Sequence, residues 1–515
     1  MQINLSLISS SLHNITELSQ KRMEVIEALK ALGDVSIFKN SSPASCGIES
    51  ATGKVVNVAY ILTGGTESLF IKLFGENCSR LGNITIISDA YHNSLAAAQE
   101  ICTWLYNNGV QHRHIHIPLH SPDATLNRLP TLLCAESPAP QRTECHSEVA
   151  ATSAEAATAE TAGTEAAGTE AAGTEAATAE AASAKAASDE AASDEAASDE
   201  AASTEAASTE AAGAKAAGAE AASDEAASDE ATSADALVKA LGGCTIGLIG
   251  EASPWLIASG IDKEALSERC GVSFREISIG TLADKYLGYS ELWKNHTLSA
   301  GARAELDEVI CRFSCSLEGD RTTEDLSDAA IMYLALASIC KEEHLDAVTV
   351  KCFDLLSSCK TTACLALALL NDNGKIAGCE GDIPSICTML AVYKALGRPS
   401  FMANPASIDS DNLSIDFAHC TIPTVMVESC TLPSHFESGI GIGINGEVPL
   451  GNYTLCKLSG KTLERSLICN GRLVKGEYLS NRCRTQVRFI FESKAEFDAF
   501  CKARVGNHII LFKRG

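Results

Sequence analysis

The middle of the chain cannot build a hydrophobic core. From Glu155 to Asp235 an acid or a lysine recurs at every fifth residue, within units such as AASDE and AAGTE. Five residues advance an α-helix by about 500°, or about 140° net, so the charges spiral around any helix and leave no apolar stripe. We therefore expect residues 144–236 to form a solvated low-complexity acidic linker, partly helical at most. An interaction tail and an expanded repeat in a surface loop are both compatible with this composition.

The same segment holds most of the net charge. The chain has 66 acidic and 40 basic residues, a formal net charge of −26. Residues 144–235 contribute 22 Asp and Glu against two Lys. The remainder is only mildly acidic and has no basic face that would indicate nucleic-acid binding.

The cysteines indicate a reduced protein. All 21 are scattered through the chain without zinc-ligand spacing, and a chain of this length does not need disulfides for stability. The first residues lack a basic n-region, which predicts a first strand and not a signal peptide. No uncharged apolar stretch reaches the roughly 18 residues of a membrane span. We expect a cytoplasmic protein with no membrane contact.

Strands and helices alternate on both sides of the linker. In residues 1–143, strands such as VVNVAYI and NITIISDA precede helices with apolar residues at helical spacing. The helix at 93–109 would be capped by its first Asn or Ser. Residues 237–398 repeat the alternation, with a strand expected at 346–356, and residues 399–515 are rich in short strands and turns. The pattern predicts two doubly wound parallel α/β domains and a C-terminal β-rich domain.

Two carboxylates lie at the edge of predicted core in the stretch GCEGDIPSICTML. Asp382 can cap a helix that begins near Pro384. Glu380 has no such structural role, and it follows a predicted strand at the sheet edge where α/β proteins usually bind ligands. A buried charge needs a partner, a metal or a proton. Glu380 is therefore a candidate functional residue.

Other polar groups occupy similar positions. The turn TGGTES (63–68) follows a strand and opens a helix, so its amides could hold an anion or a sugar hydroxyl. Asn404, His419 and His508 lie in apolar stretches. A lone histidine there is more often a satisfied core group, whereas two histidines with carboxylates suit a hard metal ion with mixed nitrogen and oxygen ligands.

At these residues the chain resembles the L-fucose isomerase/L-arabinose isomerase superfamily, specifically its shorter fucose isomerase-like members. The resemblance covers both ordered parts and leaves out the linker. The stretches that carry it are LTGGTE, NSLAAAQE, GLIGEASPWLIASG, VKCFDLL, GCEGDIPSICTML, FMANPASID, AHCTIP, RTQV and VGNHIIL. It implies an aldose–ketose isomerase that uses Mn²⁺ or another divalent cation. It also implies homo-oligomers, trimers or hexamers, whose active sites lie between subunits.

The resemblance also implies site residues. It places metal ligands at Glu380, Asn404 and His508, with His419 as the nearest match to a further ligand histidine. Trp255 and Ser259 are expected in the sugar pocket, although packing of a helix on the sheet would explain them equally well.

One departure from the family bears on catalysis. The family uses a second carboxylate for metal binding and proton transfer, and this chain has Asn404 there. An amide oxygen can bind a hard cation, but an amide is not a base at neutral pH. Either Glu380 moves the proton alone, or Asp382 or Asp409 substitutes, or the reaction differs, or activity is weak or lost.

The predicted function is metal-dependent interconversion of a free sugar of the fucose/arabinose type through an ene-diol. Glu380 would then be ligand and base. The alternative is a catalytically silent or altered sugar-binding member of the family, because of Asn404.

Overall fold

The computed structural model describes residues 2–10, 13–41, 55–75, 84–119, 122–134 and 233–514. The predicted linker lies outside these ranges except for its last residues, where Ser233 caps a helix that already begins at Ala234. The three-domain division with its bounds stays a prediction.

The first sheet contains five parallel strands. These are β1 (Gln2–Ile8), β2 (Asp34–Lys39), β3 (Val55–Ile61), β4 (Ile84–Asp89) and β5 (His112–Ile117). Their order in the sheet is β2-β1-β3-β4-β5. The accompanying helices are α1 (Ile15–Lys21), α2 (Met23–Lys30), α3 (Glu67–Phe74), α4 (Ser94–Asn107) and α5 (Pro122–Cys134). One apolar cluster joins the sheet to α1, α2 and α5, and a separate one joins it to α3 and α4. The helices therefore cover both faces, as the alternation predicts.

The central sheet contains four parallel strands in the order β7-β6-β8-β9. They are β6 (Thr245–Ile249), β7 (Ser273–Ile277), β8 (Ala347–Val350) and β9 (Ile376–Cys379). The helices are α6 (Ala234–Lys239), α7 (Lys263–Cys270), α8 (Ile279–Lys294), α9 (Ala300–Phe313), α10 (Thr323–Glu342), α11 (Asp354–Ser358), α12 (Cys364–Asp372) and α13 (Ile383–Leu396).

One strand prediction in this region is wrong in its length. The strand expected at 346–356 ends at Val350, and its second half contains the start of α11. The chain turns because the Cys352 N–H bonds the Val350 carbonyl over 2.8 Å. The neighbouring strand β9 is also only four residues long, so the ladder offers no partner for a longer β8.

The C-terminal region is β-rich, as predicted, and its main sheet closes into a six-stranded antiparallel barrel in the order β10-β11-β16-β15-β14-β17. The barrel strands are β10 (Phe401–Asp409), β11 (Ser414–His419), β14 (Gly451–Ser459), β15 (Arg465–Val474), β16 (Thr485–Phe491) and β17 (Ile509–Lys513). A two-stranded sheet, β12 (Ser429–Thr431) with β13 (Asn445–Glu447), and helix α14 (Lys494–Lys502) complete the region. Closure leaves the barrel no unpaired edge strand.

The three regions contact one another: α4 packs against β10, and α13 packs against β14. Among the helices described, none combines the length and the apolar character that a membrane span requires.

Candidate functional site

A cavity of about 330 Å³ receives residues from the first sheet, the central sheet and the barrel region. We call it the Glu380 cavity. Its lining residues are Ser10, Gly64, Gly65, Glu67, Asn93, Ala96, Ala97, Trp255, Phe353, Cys379, Glu380, Asn404, His419, Cys420, His435, Glu437, Cys483 and Asn507. Four residues singled out in the sequence lie in this wall, and two glycines of the TGGTES turn join them.

Glu380 occupies a strained position at the end of the central sheet. Strand β9 ends at Cys379, and Glu380 follows with a left-handed φ of 64°, a conformation that costs a non-glycine residue free energy and is concentrated at functional sites. Gly381 is also left-handed, and a Cβ there would lie 2.7 Å from the Glu251 carbonyl oxygen. Only glycine fits at that position. The Glu-Gly pair thus turns the Glu380 side chain into the cavity.

Asp382 caps helix α13, as the sequence predicts: its Oδ1 accepts the Ser385 N–H over 2.8 Å. Its Oδ2 lies 2.8 Å from His508 Nδ1 and 3.4 Å from Lys457 Nζ. The side chains of Asp382, His508 and Lys457 are all 0% exposed. Burial would raise the pKa of Asp382, but Lys457 and His508 outweigh it and hold that pKa well below its usual value. Both oxygens of Asp382 are engaged by Ser385, Lys457 and His508, so its contacts favour positioning His508 over direct catalysis.

His508 stands between two carboxylates. Its Nδ1 faces Asp382, and its Nε2 lies 3.5 Å from Glu380 Oε1. Burial opposes the imidazolium charge, but Glu380 and Asp382 outweigh it and raise the pKa of His508 to about 9. His508 has a left-handed φ of 38°, so a second strained residue adjoins the first.

His419 and Trp255 complete the surroundings of Glu380. His419 Nε2 lies 4.0 Å from Glu380 Oε1, and its Nδ1 pairs with the Thr421 hydroxyl. Burial, together with His508, lowers the pKa of His419 to about 3. Trp255 Nε1 donates a hydrogen bond to Glu380 Oε2. Burial would raise the pKa of Glu380, but the two histidines and Trp255 outweigh it and lower that pKa. Glu380 is therefore an ionised carboxylate with neighbours at both oxygens.

The polar atoms around Glu380 include donors that suit a divalent cation. Within the described residues, Asn404 Oδ1 and His508 Nε2 are buried without a hydrogen-bond partner, which is unusual for buried polar atoms. Ligand atoms of Cys379, Glu380 and His419 lie within 4.8 Å of one another. Carboxylate, amide and imidazole donors suit a cation such as Mn²⁺. The residues present fit such an ion.

Ser259 and Asp409 lie elsewhere. The Ser259 hydroxyl donates to Glu100 Oε1 over 3.0 Å, and Glu100 Oε2 accepts the Asn507 N–H. This network ties the loop after Trp255 to the segment before His508, which favours the packing alternative for Ser259. The Asp409 carboxylate accepts the Asp411 and Asn412 N–H groups in a turn, outside the residues that line the Glu380 cavity.

Sequence reasoning missed two cavity carboxylates. Glu67 is 2% exposed, and burial with Glu100 and Glu380 raises its pKa well above the usual value. Its only sequence signal was its place in the TGGTES turn. Glu437, in the stretch HFESG, gave no signal; its Oε1 accepts a 2.7 Å hydrogen bond from Asn93 Nδ2.

Helix α4 lacks the side-chain cap that the sequence predicts. Asn93 precedes α4 with a left-handed φ of 57° and makes no side-chain cap, because its amide instead bonds Glu437. Ser94 does not cap the helix either; its hydroxyl donates to the Ile61 carbonyl oxygen and accepts the Asp89 N–H.

The fold and the cavity define a protein with two parallel α/β sheets, a β-barrel and a buried carboxylate–imidazole site. No protein-family model matches the chain. It is similar to proteins named sulfoquinovose isomerase. The one from Clostridium sp. (strain MSTE9) is 24% identical over 193 residues, 37% of this chain and 39% of that protein. The one from Priestia megaterium (strain ATCC 12872 / QMB1551) is 21% identical over 229 residues, 43% and 49% of the two chains.

A third relative, from Alkalicoccus urumqiensis, is 24% identical over 185 residues, 36% of this chain and 39% of that protein. The chain thus spans between 39% and 49% of the length of these relatives. The expected likeness to sugar isomerases is confirmed at this distant level. The fucose isomerase-like branch stays a prediction.

Proposed function

We propose that the chain is an aldose–ketose isomerase that interconverts a free sugar through an ene-diol. The observation that carries the proposal is the ionised, buried Glu380, which faces a cavity between two histidines. The cavity volume of about 330 Å³ lies within the range of about 300–1,000 Å³ for small-molecule sites. The similarity to sugar isomerases supports this assignment.

The charge of the cavity bears on the substrate. Its lining includes Glu67, Glu380 and Glu437, and no Lys or Arg lies among the described residues of its wall. A sulfonated sugar, such as the one in the relatives' name, would meet the ionised Glu380 and no cationic Lys or Arg side chain of the described wall. We therefore propose a neutral sugar of the fucose or arabinose type as substrate.

A divalent cation such as Mn²⁺ is part of the proposal. Glu380, Asn404, His419 and His508 would hold it, on the fit described above. When bound, it stabilises negative charge on the neighbouring carbonyl and hydroxyl oxygens of the sugar. Asp382 holds the His508 ring through Nδ1, which fixes the orientation of Nε2. A homo-oligomer in the cytoplasm remains part of the same proposal.

A catalytically silent sugar-binding protein is the second candidate, and Asn404 is the observation that favours it. The amide stands where the family has a carboxylate, and it cannot accept a proton from carbon at neutral pH.

Ketose formation is the direct test. L-fucose, D-arabinose, L-arabinose and sulfoquinovose would be incubated with the protein in Mn²⁺ or in EDTA, beside the Glu380→Gln variant. Metal-dependent turnover of a neutral sugar that Glu380→Gln abolishes is the expected result. Binding of sugar without turnover would establish the silent alternative, and turnover of sulfoquinovose alone would overturn the proposed substrate class.

A further inference from the structure

The proposed reaction needs a proton carrier that Glu380 is poorly placed to be. Trp255 bonds its Oε2, and the two histidines lie beside its Oε1. A carboxylate with one oxygen held by a tryptophan N–H and the other facing two histidines is better placed to hold the proposed cation than to reach a carbon atom of the sugar. Asn404 cannot take the role, and Asp382 and Asp409 lie outside the cavity wall.

Two further carboxylates line the cavity, and their surroundings differ. Glu67 belongs to the first turn of α3, and its Oε2 is fully buried with no hydrogen-bond partner among the described residues. Glu437 is partly exposed and belongs to the loop between β12 and β13. Asn93 bonds its Oε1, no hydrogen bond to its Oε2 occurs among the described residues, and the residue lines the cavity.

We propose that Glu437 is the catalytic residue that carries the proton between C2 and C1 of the sugar. The proposal rests on the proposed isomerase function. In the aldose-to-ketose direction, the Glu437 carboxylate takes the proton from C2. The electron pair of that C–H bond forms the C1=C2 bond of the ene-diol while the carbonyl electrons move to O1. The proton then returns from Glu437 to C1, where the C1=C2 electron pair forms the new C–H bond. The O2–H electron pair completes the C2=O2 carbonyl, and the O2 proton passes to O1.

The Glu437 loop is held firmly enough for this role. The Thr362 hydroxyl both donates to the Ile442 carbonyl oxygen and accepts the Ile442 N–H, over 2.8 and 3.0 Å. Arg484 Nε donates to the Ser434 carbonyl oxygen over 2.7 Å. The loop is thus anchored on both sides of Glu437, and Asn93 orients the carboxylate. Catalytic groups require such fixed supports.

The electrostatics of Glu437 support the same role. Burial raises the pKa of Glu437 to about 7; the Asn93 hydrogen bond opposes the rise, and Glu380 adds to it. A base whose pKa lies near the working pH can both accept a proton and return it. Glu437 has this property.

The test compares Glu437→Gln with Glu428→Gln, a matched control that removes an exposed carboxylate outside the cavity wall. Turnover and exchange of the C2 hydrogen with deuterated solvent would be measured with Mn²⁺, using the sugar that the unaltered protein converts. We expect Glu437→Gln to lose at least about 100-fold in both kcat and exchange, with KM changed less than about three-fold. The control should stay within about three-fold of the unaltered protein.

Other results would overturn the role of Glu437, the isomerase assignment, or both. A Glu437→Gln variant within about three-fold of the unaltered protein would overturn this proposal and leave the isomerase assignment intact. A loss carried by KM would make Glu437 a binding residue and also overturn it. If Glu437→Gln fails to fold, Glu437→Asp, which keeps a carboxylate, should retain measurable exchange, and Glu437→Asp without exchange in a folded, sugar-binding protein would count against the role. No turnover by the unaltered protein would defeat the proposed function and this inference together.

Discussion

Asp382 serves a helix and a site at once, because one oxygen caps α13 and the other faces His508 and Lys457. The sequence indicated the cap, since an Asp preceding Ile-Pro is a local signal. It did not indicate Lys457 and His508, which lie 75 and 126 residues further along the chain. Local chemistry is visible in a sequence, whereas the partners of a buried charge depend on the tertiary fold.

Replacing Asp382 separates these roles. Asp382→Asn keeps the capping oxygen but leaves Lys457 buried without its counter-charge, which costs about 3–5 kcal/mol of unfolding free energy. It also frees the His508 ring, so Mn²⁺ affinity should fall about 10–100-fold. Denaturant unfolding and calorimetric metal titration measure the two effects. The double variant Asp382→Asn with Lys457→Met should recover stability without recovering affinity, and simultaneous recovery of both would contradict this account.

The raised pKa of His508 predicts how the proposed metal binding depends on pH. Below about 9 the metal-free His508 is protonated, so a cation must displace a proton. Affinity for Mn²⁺ should rise from pH 7 to 9, with release of about one proton at pH 7. Calorimetry in buffers of different ionisation enthalpy counts that proton, and its persistence in His508→Gln would refute the assignment.

The raised pKa of His508 also predicts how the unfolding free energy of the metal-free protein changes with pH. Since folding raises the His508 pKa from 6.5 to about 9, the charged pairing stabilises the metal-free protein fully below pH 6.5 and is lost as pH rises through 9. The unfolding free energy of the metal-free protein should therefore fall across this window. Chemical denaturation at pH 6 and pH 9 tests it, and an increase would show that other groups dominate.

At the scale of elements, strands and helices with strong apolar patterns were predictable and their ends were not. The strand expected at 346–356 failed because a tight turn after Val350 ended it, although the apolar run continued. The barrel was also out of reach, because its strand order joins β10 to β17 and β11 to β16. Such pairings depend on strands that are distant in the sequence, and the hydrophobic pattern within one strand does not identify its partner.

The turn after β9 offers a test at this scale. Gly381→Ala would place a Cβ 2.7 Å from backbone at a φ of 70°, so Glu380 must shift and turnover should fall at least about ten-fold. Gly397→Ala is the matched control: its φ is 64° but nothing lies within 4 Å of the added Cβ. We expect the control to lose about 1 kcal/mol of stability and to keep its turnover. Equal activity of the two variants would show that the turn does not position Glu380.

At the scale of the whole molecule, the cavity gathers residues from Ser10 to Asn507. Among them, the sequence pointed to Glu380, Asn404, His419 and the TGGTES turn through residue type and local context. It gave no sign of Glu437 and its bond to Asn93, which joins positions 344 residues apart. The sequence alone predicts that a carboxylate in a polar loop is exposed to solvent, and only the tertiary fold shows that Glu437 lines the cavity.

The linker can be tested by removal. The expected solvated linker contributes no core, so deletion of residues 150–232 should change the melting temperature by less than about 2 °C and leave metal binding intact. Replacement of residues 150–232 by a Gly/Ser segment of equal length is the control, because it keeps the length of the connection and changes only its composition. A large fall in melting temperature on deletion alone would contradict the expectation.

The span of the cavity along the chain also bears on how activity appears during synthesis. Ser10 is synthesised about 500 residues before His508, which immediately precedes β17. Strand β17 pairs with β10 and β14 and so closes the barrel. Every partly made chain up to that point lacks a site, however well its earlier sheets have formed. The proposed turnover would therefore require molecules in which β17 has closed the barrel, and chains that stop before His508 would lack it.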